Sequence, residues 1–209
     1  MIDVKEQISS VRRKLGSRTL EAGEARELTI SQAYETDLED LWDVVTSAER
    51  IARWFLPVSG ELREGGKYQL EGNAGGTVTS CEHPRAYAAT WEFGGQISWI
   101  EVRLIEEGPD RTRFELTHIA HVDDHWSEYG PAAVGIGWDM GLMGLALHVA
   151  NPSAPRDNEA VAAWTVSDDG KTFMRLSSDA WADADIADGE NPDAARTRSA
   201  NTYAAYTGS

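Results

Sequence analysis

The chain has 209 residues, a formal net charge of −16 and one cysteine. That length holds one good core and a small appendage. The acidity sets nucleic acid and anionic membranes aside as partners, because an acidic body repels phosphate. With Cys81 alone no intrachain disulfide forms, and a reducing, cytoplasmic compartment is expected. The charge is uneven: residues 1–26 carry +2, residues 27–150 carry −13 and residues 151–209 carry −5. No apolar signal core opens the chain. The longest apolar run, 131–149, is broken by glycines and Asp139, so no membrane span is expected.

Val4, Ile8, Val11 and Leu15 are spaced for one face of a helix, closed by Gly16. Residues 27–34 alternate Leu28, Ile30, Gln32 and Tyr34 against smaller or charged residues, which predicts a strand. Thr36 or Asp37 can cap a helix whose stripe is Leu38, Leu41, Trp42 and Val45. Ser47 can cap a shorter helix through Trp54, stopped by Pro57. A strand pair is expected around Gly65-Gly66, with Leu62 on one side and Tyr68 and Leu70 on the other. Three more strands follow over 85–93, 96–106 and 111–120, after one at 77–82.

Strand parity gives these last three strands two unlike faces. Tyr87, Ala89, Trp91 and Phe93 share a side, as do Ile100, Val102 and Leu104, and Phe114, Leu116 and His118. Glu92, Glu101, Arg103, Arg113 and Glu115 take the other side. This is a half-solvated antiparallel sheet, apolar on its concave face.

Pro131 opens the main helix, with Val134, Trp138, Leu142, Leu145 and Val149 on one stripe. Its glycines each cost up to about 1 kcal/mol against Ala, offset either by close backbone approach or by room for a ligand. Beyond the linker 151–155, a short apolar segment at 159–166 precedes two helices. Ser167 can cap the first, and Asn191-Pro192 starts the second, which stops at Gly208.

Taken together, Glu49-Arg50-Ile51-Ala52-Arg53-Trp54-Phe55, then Gly60-Glu61-Leu62-Arg63-Glu64-Gly65-Gly66-Lys67-Tyr68, Pro84-Arg85, Trp91, Leu116-Thr117-His118 and Gly137-Trp138 make a pattern. It resembles the SRPBCC (START-like, helix-grip) superfamily, in the bacterial branch named for homology to the activator of the heat-shock chaperone ATPase. The resemblance covers roughly residues 27–150. It implies an α+β helix-grip fold, a curved antiparallel β-sheet wrapped around a long C-terminal helix, with extra helices at the C-terminus. The expected organisation is an N-terminal extension with a short helix (1–26), the START-like domain (27–150) and a helical C-terminal appendage (151–209).

A sheet gripping one helix leaves a hollow. The residues expected to line it are Trp54, Phe55, Tyr68, Trp91, Phe114 and Trp138, with His118 as a polar handle. The run from His118 to His125 has the composition of a metal cluster, but in a strand His118 and His121 point to opposite faces. No metal, no cofactor and no catalytic residue is expected. Gly72-Asn73-Ala74-Gly75-Gly76 lacks the Lys-Ser/Thr ending of a phosphate loop and reads as a turn.

Non-catalytic binding of a small hydrophobic molecule is the first expectation. A cyclase or aromatase-like enzyme using the same cavity, with His118 moving a proton, is the second. A stress-related co-chaperone or interaction protein is the third. The apolar faces of the terminal helices make a homodimer an expectation too, unless those helices fold onto their own body.

Overall fold

The structure is a computed structural model that describes residues 3–208; the outermost residues of the expected N-terminal extension and C-terminal appendage lie outside the described residues. In chain order the elements are α1 (Val4–Ser10), β1 (Arg12–Leu20), β2 (Gly23–Tyr34), α2 (Leu38–Thr46), α3 (Ala48–Trp54), β3 (Val58–Gly60), β4 (Lys67–Leu70) and β5 (Gly75–Glu82). There follow β6 (Ala86–Phe93), β7 (Gln96–Gly108), β8 (Arg111–His121), α4 (Asp124–Tyr129), α5 (Ala132–Ala150), α6 (Asn158–Thr165), α7 (Asp168–Ala187) and α8 (Pro192–Thr207). The strands form one eight-stranded sheet in the order β1-β2-β8-β7-β6-β5-β4-β3. This is the α+β helix-grip architecture that the pattern implies.

The described residues fall into two compact units. One holds residues 3–30, His121–Met143 and 157–208; the other holds Ser31–Ala120 and Gly144–Arg156.

In the first unit, α1 is shorter than its apolar spacing predicts. Asp3 caps it by accepting from the backbone N–H groups of Lys5 and Glu6, and it ends at Ser10. Residues 12–20 are strand, not helix. Val11 and Leu15 are buried as the helical reading requires, but Leu15 is buried from an extended backbone. The apolar face of α1 is covered within this unit: Ile8 packs with Met143 and Phe173, against Val4, Trp164 and Leu176. Ser167 and Asn191 cap α7 and α8 as predicted, and Gly208 closes α8 with φ +68°. Asp123 caps α4 by accepting from the Trp126 N–H.

Charge holds this unit together from inside. Asp139, 1% exposed, receives Arg13 Nε at 3.1 Å and Arg13 Nη2 at 2.6 Å. It also receives the Ser177 hydroxyl at 2.6 Å and the Trp181 indole N–H at 2.9 Å. Four donors surround one carboxylate, which is what a buried ion needs to persist. Gly135 explains one of the odd helical glycines: a Cβ there meets the Trp181 indole well inside van der Waals contact.

In the second unit the sheet register follows the parity reading. Ala89 faces Ile100, Tyr87 faces Val102, and Trp91 faces Ser98 across β6 and β7. Across β7 and β8, Ile100 faces His118, Val102 faces Leu116, and Leu104 faces Phe114. Leu38, Leu41, Trp42 and Val45 are all buried on α2, which Asp37 caps. Ser47 occupies the N-cap of α3 but makes no side-chain cap bond. Leu62 lies in the turn between β3 and β4, outside either strand.

By length and composition, Ala132–Ala150 is long and apolar enough to cross a membrane. Half of it is buried inside the protein, and it carries the buried Asp139, as a core helix does. Its buried positions are not confined to the predicted stripe: Ile136, Asp139 and Met143 are buried, whereas Val134, Trp138 and Val149 are half-buried.

Candidate functional site

The concave face of the second unit is built by register. Tyr68 on β4 faces Gly76 on β5, and Val78 faces Ala89 on β6, so Tyr68, Val78, Ala89 and Tyr87 share one side. Gly76 has no side chain to stand between β4 and β6. The Tyr68 hydroxyl donates to the Thr90 carbonyl at 2.7 Å, across the glycine. A Cβ at 76 would run into that same carbonyl. Burial pushes the Tyr68 phenol up to about 12, with Glu92 adding to it. Tyr87 is pushed up as well, first by burial and then by Tyr68.

This face is closed at one end and open at the other. On β7 and β8, Ile100, Val102, Leu104, Phe114, Leu116 and His118 are buried. On β4 and β6, Tyr68, Tyr87 and Trp91 remain half-buried.

His118 sits where the two ends meet. Its ring lies edge-on to Trp91, centroids 6.2 Å apart, and its Nε2 is 2.9 Å from the Ser98 hydroxyl. Ser98 donates its proton to the Trp91 carbonyl at 3.0 Å. Nε2 therefore carries the ring proton and donates it to Ser98. Desolvation lowers the His118 pKa to about 4, so the ring is neutral at physiological pH. His121 turns elsewhere, with Nδ1 3.2 Å from the Glu24 carbonyl.

Trp54 and Phe55 stack at 5.5 Å with rings tilted by 32°, both half-buried. The Trp54 indole N–H donates to the Val44 carbonyl at 3.0 Å. Its own carbonyl accepts Arg156 Nη1 at 2.9 Å and lies against Gly144, where a Cβ would clash. Close approach thus accounts for Gly144 as well as Gly135. A Cβ at Gly137, by contrast, meets nothing within 4 Å. Trp138 is half-buried on the part of α5 that belongs to the first unit.

Tyr87 shares the face of Trp91 on β6, as strand parity predicts, and Trp42 of α2 packs against it. Their rings meet edge-on at 6.2 Å. The parity of β6 was the available signal for Tyr87. Asp139 of the first unit has its carboxylate engaged by Arg13, Ser177 and Trp181. Among the described residues, no group of three or more His, Cys, Asp or Glu side chains is placed to hold a metal ion.

A curved antiparallel sheet with a half-open aromatic face belongs to the class of ligand-binding or cyclase-like helix-grip domains. The family profile described as "Activator of Hsp90 ATPase homolog 1-like protein" matches residues 35–150, and the chain belongs to that family. It is similar to CalU16 from Micromonospora echinospora. The crystal structure of that protein is 34% identical, with a TM-score of 0.66, covering 83% of this chain and 97% of that one. Its solution structure gives 34% identity and a TM-score of 0.69, covering 86% of this chain and 97% of that one. A conserved protein from Enterococcus faecalis is 14% identical with a TM-score of 0.60, covering 90% of this chain and 96% of that one, and shows the fold alone. The search of curated proteins finds no match.

Proposed function

We propose that the chain binds a small hydrophobic molecule, without transforming it, against the concave face of the sheet. One observation carries this reading: Tyr68, Tyr87 and Trp91 stay half-open on a face whose continuation on β7 and β8 is buried. Large aromatic rings left partly in water on an otherwise apolar face favour an apolar occupant. Trp54, Phe55, Tyr68, Trp91 and Phe114, all of the second unit, are the proposed apolar contacts and His118 the polar one.

The ionisation of His118 supports binding over catalysis. A base that stays neutral down to about pH 4 is far from the pKa that suits proton transfer at neutral pH. It is suited to hold an orientation.

Native mass spectrometry of the purified protein, repeated after denaturation, tests the proposal. An excess mass of a few hundred daltons that vanishes on denaturation is the expected result. A bare mass that stays bare after incubation with a panel of neutral aromatic and aliphatic compounds contradicts it.

A further inference from the structure

Tyr68, Tyr87 and Trp42 carry polar hydrogens at the half-open end, and they differ in what those hydrogens do. The Tyr68 hydroxyl is spent on the Thr90 carbonyl. Among the described residues, the Tyr87 hydroxyl and the Trp42 indole N–H have no hydrogen-bond partner. Tyr87 is fixed from two directions: its backbone pairs with Cys81 and Val102, and its ring abuts Trp42 edge-on. Trp42 can only donate, so it offers the phenol's proton no acceptor. A held phenol on an apolar face, half-buried and with no protein acceptor for its proton, is matched by an acceptor on the occupant.

The charges on this face point the same way. The inward positions of β4, β6, β7 and β8 are mainly hydrocarbon, aromatic or phenolic; the others include the neutral His118, the Ser98 and Thr112 hydroxyls, and Glu106 at the exposed end, and none of the inward positions is a cation. An anionic occupant meets no countercharge there and would lose its hydration for nothing. Arg156 reaches Trp54, where its Nη1 donates to the backbone carbonyl. Aromatic walls favour flat, π-rich partners by offset or edge-to-face contact.

Resting on the binding function proposed above, we infer that the occupant is an uncharged aromatic compound bearing a carbonyl-type acceptor, and that Tyr87 selects it by donating to that acceptor. Tyr87 is a specificity-determining residue, distinct from the His118 handle.

Three tricyclic probes of nearly equal size test this: 9-fluorenone, fluorene and fluorene-9-carboxylate. Binding to the full chain is measured by calorimetry for the wild type and for Tyr87→Phe, with circular dichroism checking that the variant folds. The expected result is that 9-fluorenone binds the wild type about tenfold more tightly than fluorene, the worth of one hydrogen bond. The carboxylate binds more weakly than either. In Tyr87→Phe the preference for the ketone disappears and fluorene binds as before. A ketone preference that survives in Tyr87→Phe, equal binding of ketone and hydrocarbon by the wild type, or a carboxylate as tight as the ketone overturns the inference while leaving hydrophobic binding standing. Failure of all three probes to bind overturns the inference and the binding function together. Should Tyr87→Phe fail to fold, the wild-type ranking of the three probes decides alone.

Discussion

His118 Nε2 lies 2.9 Å from the Ser98 hydroxyl, and Ser98 donates a hydrogen bond to the Trp91 carbonyl 3.0 Å away. The imidazole is thereby fixed in one tautomer by a chain of two hydrogen bonds that ends on the backbone of β6. Its position decides how the core responds to acid.

The folded pKa of His118, about 4, lies below the ordinary value of 6.5. The unfolded chain therefore binds more protons between these two values, and stability falls as pH drops from about 6.5 to about 4. The full loss from this one residue is about 3 kcal/mol. Urea unfolding of the wild type and His118→Gln at pH 7 and pH 4.5 measures it. The wild type should lose more stability than the variant over that interval. Equal losses would show that His118 is not held neutral.

Asp139 anchors the first unit through Arg13, Ser177 and Trp181. Asp139→Ala leaves the Arg13 guanidinium buried without its counter-ion. The expected cost is about 3–5 kcal/mol in unfolding free energy. Arg13→Met and Asp139→Leu combined should cost clearly less than the two single changes added together. Additive losses in chemical denaturation would mean that the pair is not coupled.

The helical glycines separate by what surrounds them. Gly137→Ala introduces a Cβ that meets nothing within 4 Å and should stabilise by up to about 1 kcal/mol through helix propensity. Gly144→Ala drives its Cβ into the Trp54 carbonyl, and Gly135→Ala into the Trp181 indole. Each of these should destabilise by about 1–3 kcal/mol. Thermal unfolding that ranks Gly137→Ala below the other two would contradict the packing of α5.

The sheet was readable because its period is two and its faces differ in chemistry: Tyr87, Ala89 and Trp91 announce one side of β6, and the register with β7 and β8 follows. The start of the chain was not. Val4, Ile8, Val11 and Leu15 satisfy a helical face, yet Arg12–Leu20 is a strand beside β2 in the sheet. Local spacing cannot report a partner strand that arrives after a turn, although Gly23, at φ +127°, marks where the hairpin closes. Asp139 was legible only as an interruption of an apolar run. Its partners stand 126, 38 and 42 positions away, and no short-range pattern joins them. The candidate site divides in the same manner: parity placed Trp91, Phe114 and His118 on one face, whereas the free phenol of Tyr87 emerges only from the hydrogen bonds its neighbours make.

Where an apolar compound lodges is the most direct test of the account. Photolabelling with the neutral aromatic probe 3-(trifluoromethyl)-3-phenyldiazirine, followed by peptide mapping, reads it without knowledge of the natural ligand. Label should concentrate on the peptides containing Tyr68 and residues 86–91, and excess 9-fluorenone should suppress it. Label spread over exposed apolar positions such as Val161 and Val166, and untouched by the competitor, would contradict a binding role for the concave face.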